Sequence, residues 1–102
     1  MIQEHNYDSD LTDDQYFKVE GLLPKDAVLG RPKKYGNRIM LNAILWWLRN
    51  DEPLRNLPKD FPPWGTVHAT SWLWYNQGIL PAIAKELGDK ELTSAMAKKI
   101  RR

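Results

Sequence analysis

Apolar residues recur along the chain with the spacing of helices rather than of strands. The clearest segment is residues 39–48, in which nine of ten residues are apolar and the exception is Asn42. A helix that is apolar on all sides must be surrounded by protein, so Trp46 is expected either to meet other helices or to form part of an interface. The spacing i, i+3, i+4, i+7 of a core-facing side is carried by Met40, Ala43, Ile44 and Trp47.

Capping residues and prolines predict the first three helical segments. Thr12 and Gln15 have the spacing of a capping box, which predicts a helix over residues 12–23 that ends before Pro24. Asn37 is expected to cap the apolar helix, which continues to about residue 50. Residues 53–57 leave room for one short turn with a proline at its first position.

The C-terminal half contains two or three further helices. Thr66 is expected to cap a helix that ends near residue 77, where Gly78 follows. The next helix is predicted over residues 79–87 and is closed by Gly88. Residues 89–102 form either a last helix or a frayed basic tail.

These elements predict an all-α fold: a compact four-to-five-helix, helix-turn-helix-like domain. No strand-like alternation of useful length is found. The length of 102 residues fits one hydrophobic core, and because cysteine is absent, packing alone must stabilise it. We divide the chain into an acidic N-terminal arm (1–10), a helical domain (11–88) and a basic C-terminal helix or tail (89–102).

Charge is strongly segregated although the formal total is only +2. Residues 1–20 carry six acids and one base, whereas residues 25–38 carry five bases and one acid and residues 98–102 add four bases. Such segregation indicates a basic surface for an anionic partner.

Several classes of function find no support in the sequence. The acidic N-terminus lacks the basic character of a signal or transit peptide, so a cytoplasmic protein is expected. The uncharged stretch 61–84 is interrupted by prolines and Gly78, which argues against a membrane helix. The acids of residues 8–14 lack the glycine and distal glutamate of a calcium loop. We expect no catalytic residue, no metal site and no cofactor.

Six segments stand out in order along the chain: LTDDQ (11–15), LLP (22–24), GRPKKY (30–35), LNAIL (41–45), PLRNLP (53–58) and FPPWGTV (61–67). Together they resemble the N-terminal domain of insertion-sequence transposases of the DDE class. The resemblance implies a helical domain that binds the terminal DNA of a mobile element and precedes a separate catalytic core. The 102 residues leave no room for such a core, so a binding function without catalysis is expected.

A second departure from this family lies in the uncharged stretch. Where relatives carry an arginine-rich helix, residues 68–77 contain no Lys or Arg. Because cations supply most non-specific affinity for DNA, their absence weakens phosphate binding there. Polar side chains of this helix remain able to hydrogen-bond to bases or phosphates, which makes Thr66, His68 and Thr70 candidates.

The leading hypothesis is an accessory or regulatory protein that binds duplex DNA. Its candidate contacts in the basic segment are Arg31, Lys33, Lys34 and Arg38. Gly30, Arg31 and Pro32 resemble the core of an AT-hook, in which an arginine enters a narrow minor groove. Arg55 either contacts phosphate or pairs with Asp51 or Glu52.

The alternative hypothesis is a protein-interaction module that forms a homodimer or binds another chain. Its candidate interface is Trp46, Trp72 and Leu73, while Trp64 and Trp74 are expected in the core. A third hypothesis is a transposase fragment without a function of its own.

Overall fold

The computed structural model describes residues 11–23, 27–28, 31–32, 36–50 and 52–100. These residues form an all-α fold, as predicted, with one small exception. Two two-residue strands, which the sequence pattern did not indicate, pair antiparallel with Ala27 opposite Pro32. In chain order the elements are α1 (Asp13–Val19), a 3₁₀ turn (Glu20–Leu22), β1 (Ala27–Val28), β2 (Arg31–Pro32), α2 (Asn37–Arg49), a 3₁₀ turn (Leu54–Asn56), α3 (Trp64–Asn76), α4 (Ile79–Leu87) and α5 (Lys90–Lys99).

Helix α1 begins with the predicted capping box. The Thr12 hydroxyl accepts the N–H of Gln15 at 3.2 Å, and the Gln15 side chain accepts the N–H of Thr12 at 3.1 Å. These two bonds satisfy main-chain donors that a helix start otherwise leaves unpaired. The α-helix ends at Val19, and the 3₁₀ turn continues the predicted segment to Leu22.

Helix α2 is the central helix and packs against α3 and α5. Residues 40–48 are all buried, including Trp46 and Trp47, so the core surrounds the apolar segment as its composition requires. The predicted cap at Asn37 is wrong. Gly36 occupies the N-cap with extended backbone, and Asn37 is the first helical residue and is buried.

Asn42, the polar exception within α2, binds the main chain that leads into α1. Its Oδ1 atom accepts the N–H of Leu11 at 3.0 Å, and both residues are buried. A buried N–H without a partner is costly. The amide of Asn42 therefore serves the fold by satisfying a donor that no helix satisfies.

Helix α3 begins at Trp64, directly after Pro63 in the N-cap position. Thr66 lies in the first turn and not at the cap, so the predicted start was three residues late. The residues that α3 buries are Val67, Ser71 and Trp74, of which Trp74 was predicted in the core. Their spacing of four and three residues places them on one side of the helix.

Glycines with positive φ join the last three helices. Gly78 has φ +81° between α3 and α4, and Gly88 has φ +69° at the end of α4. L-residues with side chains rarely adopt this backbone. Helix α4 has the predicted bounds, and the Asp89 side chain caps α5 by accepting the N–H groups of Glu91 and Leu92.

Residues 90–99 are helical, so of the two alternatives that the sequence left open for the C-terminal segment, the structure shows the helix. Helix α5 buries Leu92 and Met96, and Ile100 just beyond it joins the same core as α2. Lys99 Nζ donates to the main-chain oxygens of Trp47 at 2.6 Å and Asn50 at 2.5 Å, at the C-terminal end of α2. The hydrophobic core thus includes residues of α5, which lie beyond the predicted end of the helical domain at residue 88.

Candidate nucleic-acid interface

The basic segment that supplied half of the DNA candidates is only partly described. Arg31 contributes its backbone to β2, but its side chain, and the whole of Lys33 and Lys34, lie outside the described residues. Their proposed contacts with DNA therefore stay predictions.

Arg38, the fourth candidate in this segment, binds α1 and the chain before it. Its Nη2 atom donates to the main-chain oxygen of Leu11 at 3.1 Å and lies 2.8 Å from Asp13 Oδ1. The guanidinium also lies 5.1 Å from the centre of the Tyr16 ring, within the range of a cation–π contact. The structure thus gives Arg38 contacts within the fold, and its contact with DNA stays a prediction.

The 3₁₀ turn Leu54–Asn56 and the proline-rich segment after it form a groove beside the start of α2. We call it the 55–64 groove, because its walls are Arg55 and residues 57–64, together with Ile39 of α2. Its volume is about 580 Å³. Leu54 and Pro62 are buried beneath it and anchor both ends of this segment.

Two exposed cations and an exposed tryptophan are among the residues that line this groove. Arg55 and Lys59 are both exposed, and Trp64 is 50% exposed. The expectation that Trp64 is a core residue is therefore wrong, whereas Trp74 is buried as predicted. Trp64 stands at the first position of α3, three residues before Val67 and seven before Ser71, so it lies on the same side of the helix as these buried residues although it is itself half exposed.

The ion pair expected for Arg55 is not formed with Glu52. The carboxylate of Glu52 instead accepts a hydrogen bond from Asn56 Nδ2 at 3.2 Å, and Asp51, the other expected partner, lies outside the described residues. Arg55 is exposed on the groove wall, where it is accessible to an anionic ligand.

Arg49 and Lys99 serve the fold instead. Arg49 Nη2 pairs with Asp89 Oδ2 at 3.1 Å and joins α2 to the cap of α5. Lys99 holds the C-terminal carbonyls of α2. Both arrangements join elements that are distant in sequence, which distinguishes these side chains from Arg55 and Lys59.

The polar candidates on α3 differ in their environments. Thr66 and His68 are exposed, and Thr70 is half-buried. The His68 ring lies 6.1 Å from the ring of buried Trp47 with an interplanar angle of 54°. The main-chain oxygen of His68 also accepts the hydroxyl of Ser71 at 2.8 Å. Of the three predicted contacts, Thr66 and His68 are the more accessible.

The solvent side of α3 also carries an apolar patch. Trp72 is 56% exposed and Leu73 is 47% exposed, and the two lie about 100° apart around the helix axis. Trp46, the third residue of the predicted interface, is buried in the core. It is packed among the neighbours of α2, so it is not part of an exposed interface.

Neither a metal site nor a membrane-spanning helix is found among the described residues. They contain no group of three or more His, Asp or Glu side chains placed to hold a metal ion. None of their helices combines the length and the apolar character needed to cross a membrane.

Sequence reasoning missed the 55–64 groove as a unit. Lys59 was not a candidate, and Trp64 was assigned to the core. The sequence did contain a signal for this groove: Arg55, Lys59 and Trp64 lie within ten residues that also contain three prolines. Proline fixes φ and favours non-helical turns, so such a segment is able to hold side chains apart from the core.

Comparisons with known proteins agree with the motifs. The family model described as "Putative transposase of IS4/5 family (DUF4096)" matches residues 11–84. "Uncharacterized protein y4sN" of Sinorhizobium fredii (strain NBRC 101917 / NGR234) is 30% identical over 70 residues, which are 69% of this chain and 56% of that protein. The chain thus spans little more than half the length of this relative. No solved structure matches the chain.

Proposed function

Because the chain belongs to the IS4/5 transposase family, we propose that it is an accessory or regulatory domain that binds duplex DNA. The proposed role is binding and not the chemical step of strand transfer. We also propose that the protein is cytoplasmic.

The observation that carries this proposal is the pair of exposed cations in the 55–64 groove. Arg55 and Lys59 lie on one wall segment, and neither forms an ion pair with a described residue. Arg and Lys at such positions bind phosphate and release the counterions that surround DNA. Arg38, Arg49 and Lys99 are each held by contacts within the fold, whereas Arg55 and Lys59 are exposed together along one groove, which supports the groove as the site.

Polar and basic residues outside the groove extend the proposed surface. Thr66 lies two residues after Trp64 and is exposed at the start of α3, where main-chain N–H groups favour an anion. Lys33 and Lys34 precede Ile39, which lines the groove, by six and five residues in the sequence. We include the side chains of Arg31, Lys33 and Lys34 as further phosphate contacts.

A titration of the full chain with a fluorescein-labelled pool of random-sequence duplexes tests this function. We expect anisotropy to rise with protein concentration at low salt and the affinity to fall steeply as salt is added. K33Q/K34Q is expected to flatten this salt dependence, while K18Q/K85Q removes the same charge from α1 and α4 and serves as control. Absence of binding to the pool even at low salt would overturn the proposal.

A second candidate function is supported by the apolar patch on α3. Trp72 and Leu73 are exposed on a helix that carries no charged residue, and exposed aromatic residues of this kind mark protein interfaces. The partner is a second copy or another chain.

Light scattering over a range of concentrations tests this second candidate. If the patch mediates self-association, W72A/L73A will be monomeric at concentrations where the native chain is a dimer, with the same helical circular dichroism. Identical molar masses for the two proteins would exclude the homodimer, and a pull-down with the same pair of proteins would examine association with other chains.

A further inference from the structure

Trp64 is the feature of the groove that binding to duplex phosphate leaves unexplained. Its ring is half exposed, although burial of a large aromatic side chain is strongly favourable. Three other tryptophans, Trp46, Trp47 and Trp74, are buried in the core. Trp64 instead lines a recess together with two cations.

The walls that hold Trp64 are formed by turns with little freedom. The N–H of Leu57 donates to the oxygen of Leu54 at 2.9 Å, and the N–H of Phe61 donates to the oxygen of Pro58 at 3.1 Å. Pro62 is buried and Pro63 fixes the backbone directly before Trp64. Such a wall keeps its shape before a ligand arrives, which lowers the entropy lost on binding.

The combination of a flat apolar ring with separate cations matches the chemistry of a nucleotide. Aromatic side chains stack on bases, and Arg and Lys bind the flanking phosphates. The volume of about 580 Å³ lies within the range of small-molecule sites, about 300–1,000 Å³. Asp60 also lines the groove, and its carboxylate disfavours a long run of phosphates, so the site suits one base with its neighbouring phosphates.

We infer that the 55–64 groove takes an unpaired nucleotide, with its base on the Trp64 ring and its phosphates at Arg55 and Lys59. A base within an intact duplex is stacked on both faces and is inaccessible to a recessed ring. The ligand is therefore single-stranded DNA or an unpaired position in a duplex. This inference rests on the proposed DNA-binding function and adds the state of the DNA that the groove prefers.

Anisotropy titrations with three labelled probes test the inference: a 12-nucleotide single strand, its blunt duplex, and the duplex with one unpaired central base. The native chain is expected to bind the single strand and the duplex with the unpaired base more tightly than the blunt duplex. Trp64→Ala is expected to weaken binding to these two probes by about 5- to 150-fold, the range found when a stacking aromatic is removed. Trp64→Phe should retain most of the affinity, because phenylalanine also stacks.

Phe17→Ala is the control, since Phe17 is an exposed aromatic residue of α1 that does not line the groove. Circular dichroism of Trp64→Ala establishes that it folds, as the exposure of Trp64 leads us to expect. If Trp64→Ala and Phe17→Ala bind all three probes alike, the inference fails while the proposed function stands. If no probe binds, the proposed function fails as well. Binding of a proline-rich peptide that depends on Trp64, with DNA binding that does not, would assign the groove to a protein ligand and overturn the inference.

Discussion

Arg38→Ala removes the side chain that joins α2 to α1 and to the main chain before it. A hydrogen bond from a charged donor, such as that from Nη2 to the Leu11 oxygen, contributes about 1.5–3 kcal/mol. The ion pair with Asp13, whose side chain is 72% exposed, adds only about 0.2–1 kcal/mol. The contact with the Tyr16 ring adds about 0.5–1 kcal/mol. We expect the free energy of unfolding to fall by about 2–4 kcal/mol.

Urea denaturation followed by circular dichroism measures this change, provided that the slope with urea is the same in both proteins. Asp13→Asn is the control, because it removes the exposed ion pair and leaves the bond to Leu11, and its expected cost is below about 1 kcal/mol. The salt dependence of DNA binding is expected to be unchanged in Arg38→Ala. Equal stability of the two variants, with a salt slope lower by about one in Arg38→Ala, would refute the structural role and return Arg38 to the DNA surface.

Two further predictions concern contacts between elements distant in sequence, and urea midpoints measure both. Lys99→Met removes the donor to the last carbonyls of α2 and should lower the free energy of unfolding by about 1–3 kcal/mol. The same change at exposed Lys98 should leave it almost unchanged, and equal urea midpoints for the two variants would contradict the capping role of Lys99. Asn42→Leu leaves the buried N–H of Leu11 without its acceptor and should lower the free energy of unfolding by about 1–3 kcal/mol. The matched change at exposed Asn76 should be nearly neutral, and a stable Asn42→Leu would show that this bond is dispensable.

Features set by neighbouring residues were predicted well from the sequence. The capping box depends only on Thr12 and Gln15, and it is present. Helix α4 has the predicted bounds because Gly78 and Gly88 limit it on both sides. The starts of α2 and α3 were misplaced because neither helix begins with a side-chain cap: Gly36 and Pro63 stand at the N-cap positions, and Asn37 and Thr66 lie within the first turns.

Features that depend on distant residues were not predicted. Arg38 looks like a free cation in the sequence, because its acceptor at Leu11 lies 27 residues away. Helix α3 carries apolar residues on several of its sides, so the sequence pattern does not show which of them are exposed. Trp64 is one of the exposed ones. The groove itself needs Ile39 beside residues 55–64, a proximity that arises only when α2 and the proline-rich segment pack together.

The salt dependence of duplex binding by R55Q/K59Q tests the central claim most directly. The logarithm of the binding constant falls linearly with the logarithm of salt concentration, with a slope close to one for each phosphate contact. The account predicts that R55Q/K59Q lowers this slope by about 2 relative to the native chain, whereas K18Q/K85Q, with the same loss of charge away from the groove, leaves it nearly unchanged. Equal slopes for the native chain and R55Q/K59Q would contradict the assignment of the 55–64 groove as the DNA-binding surface.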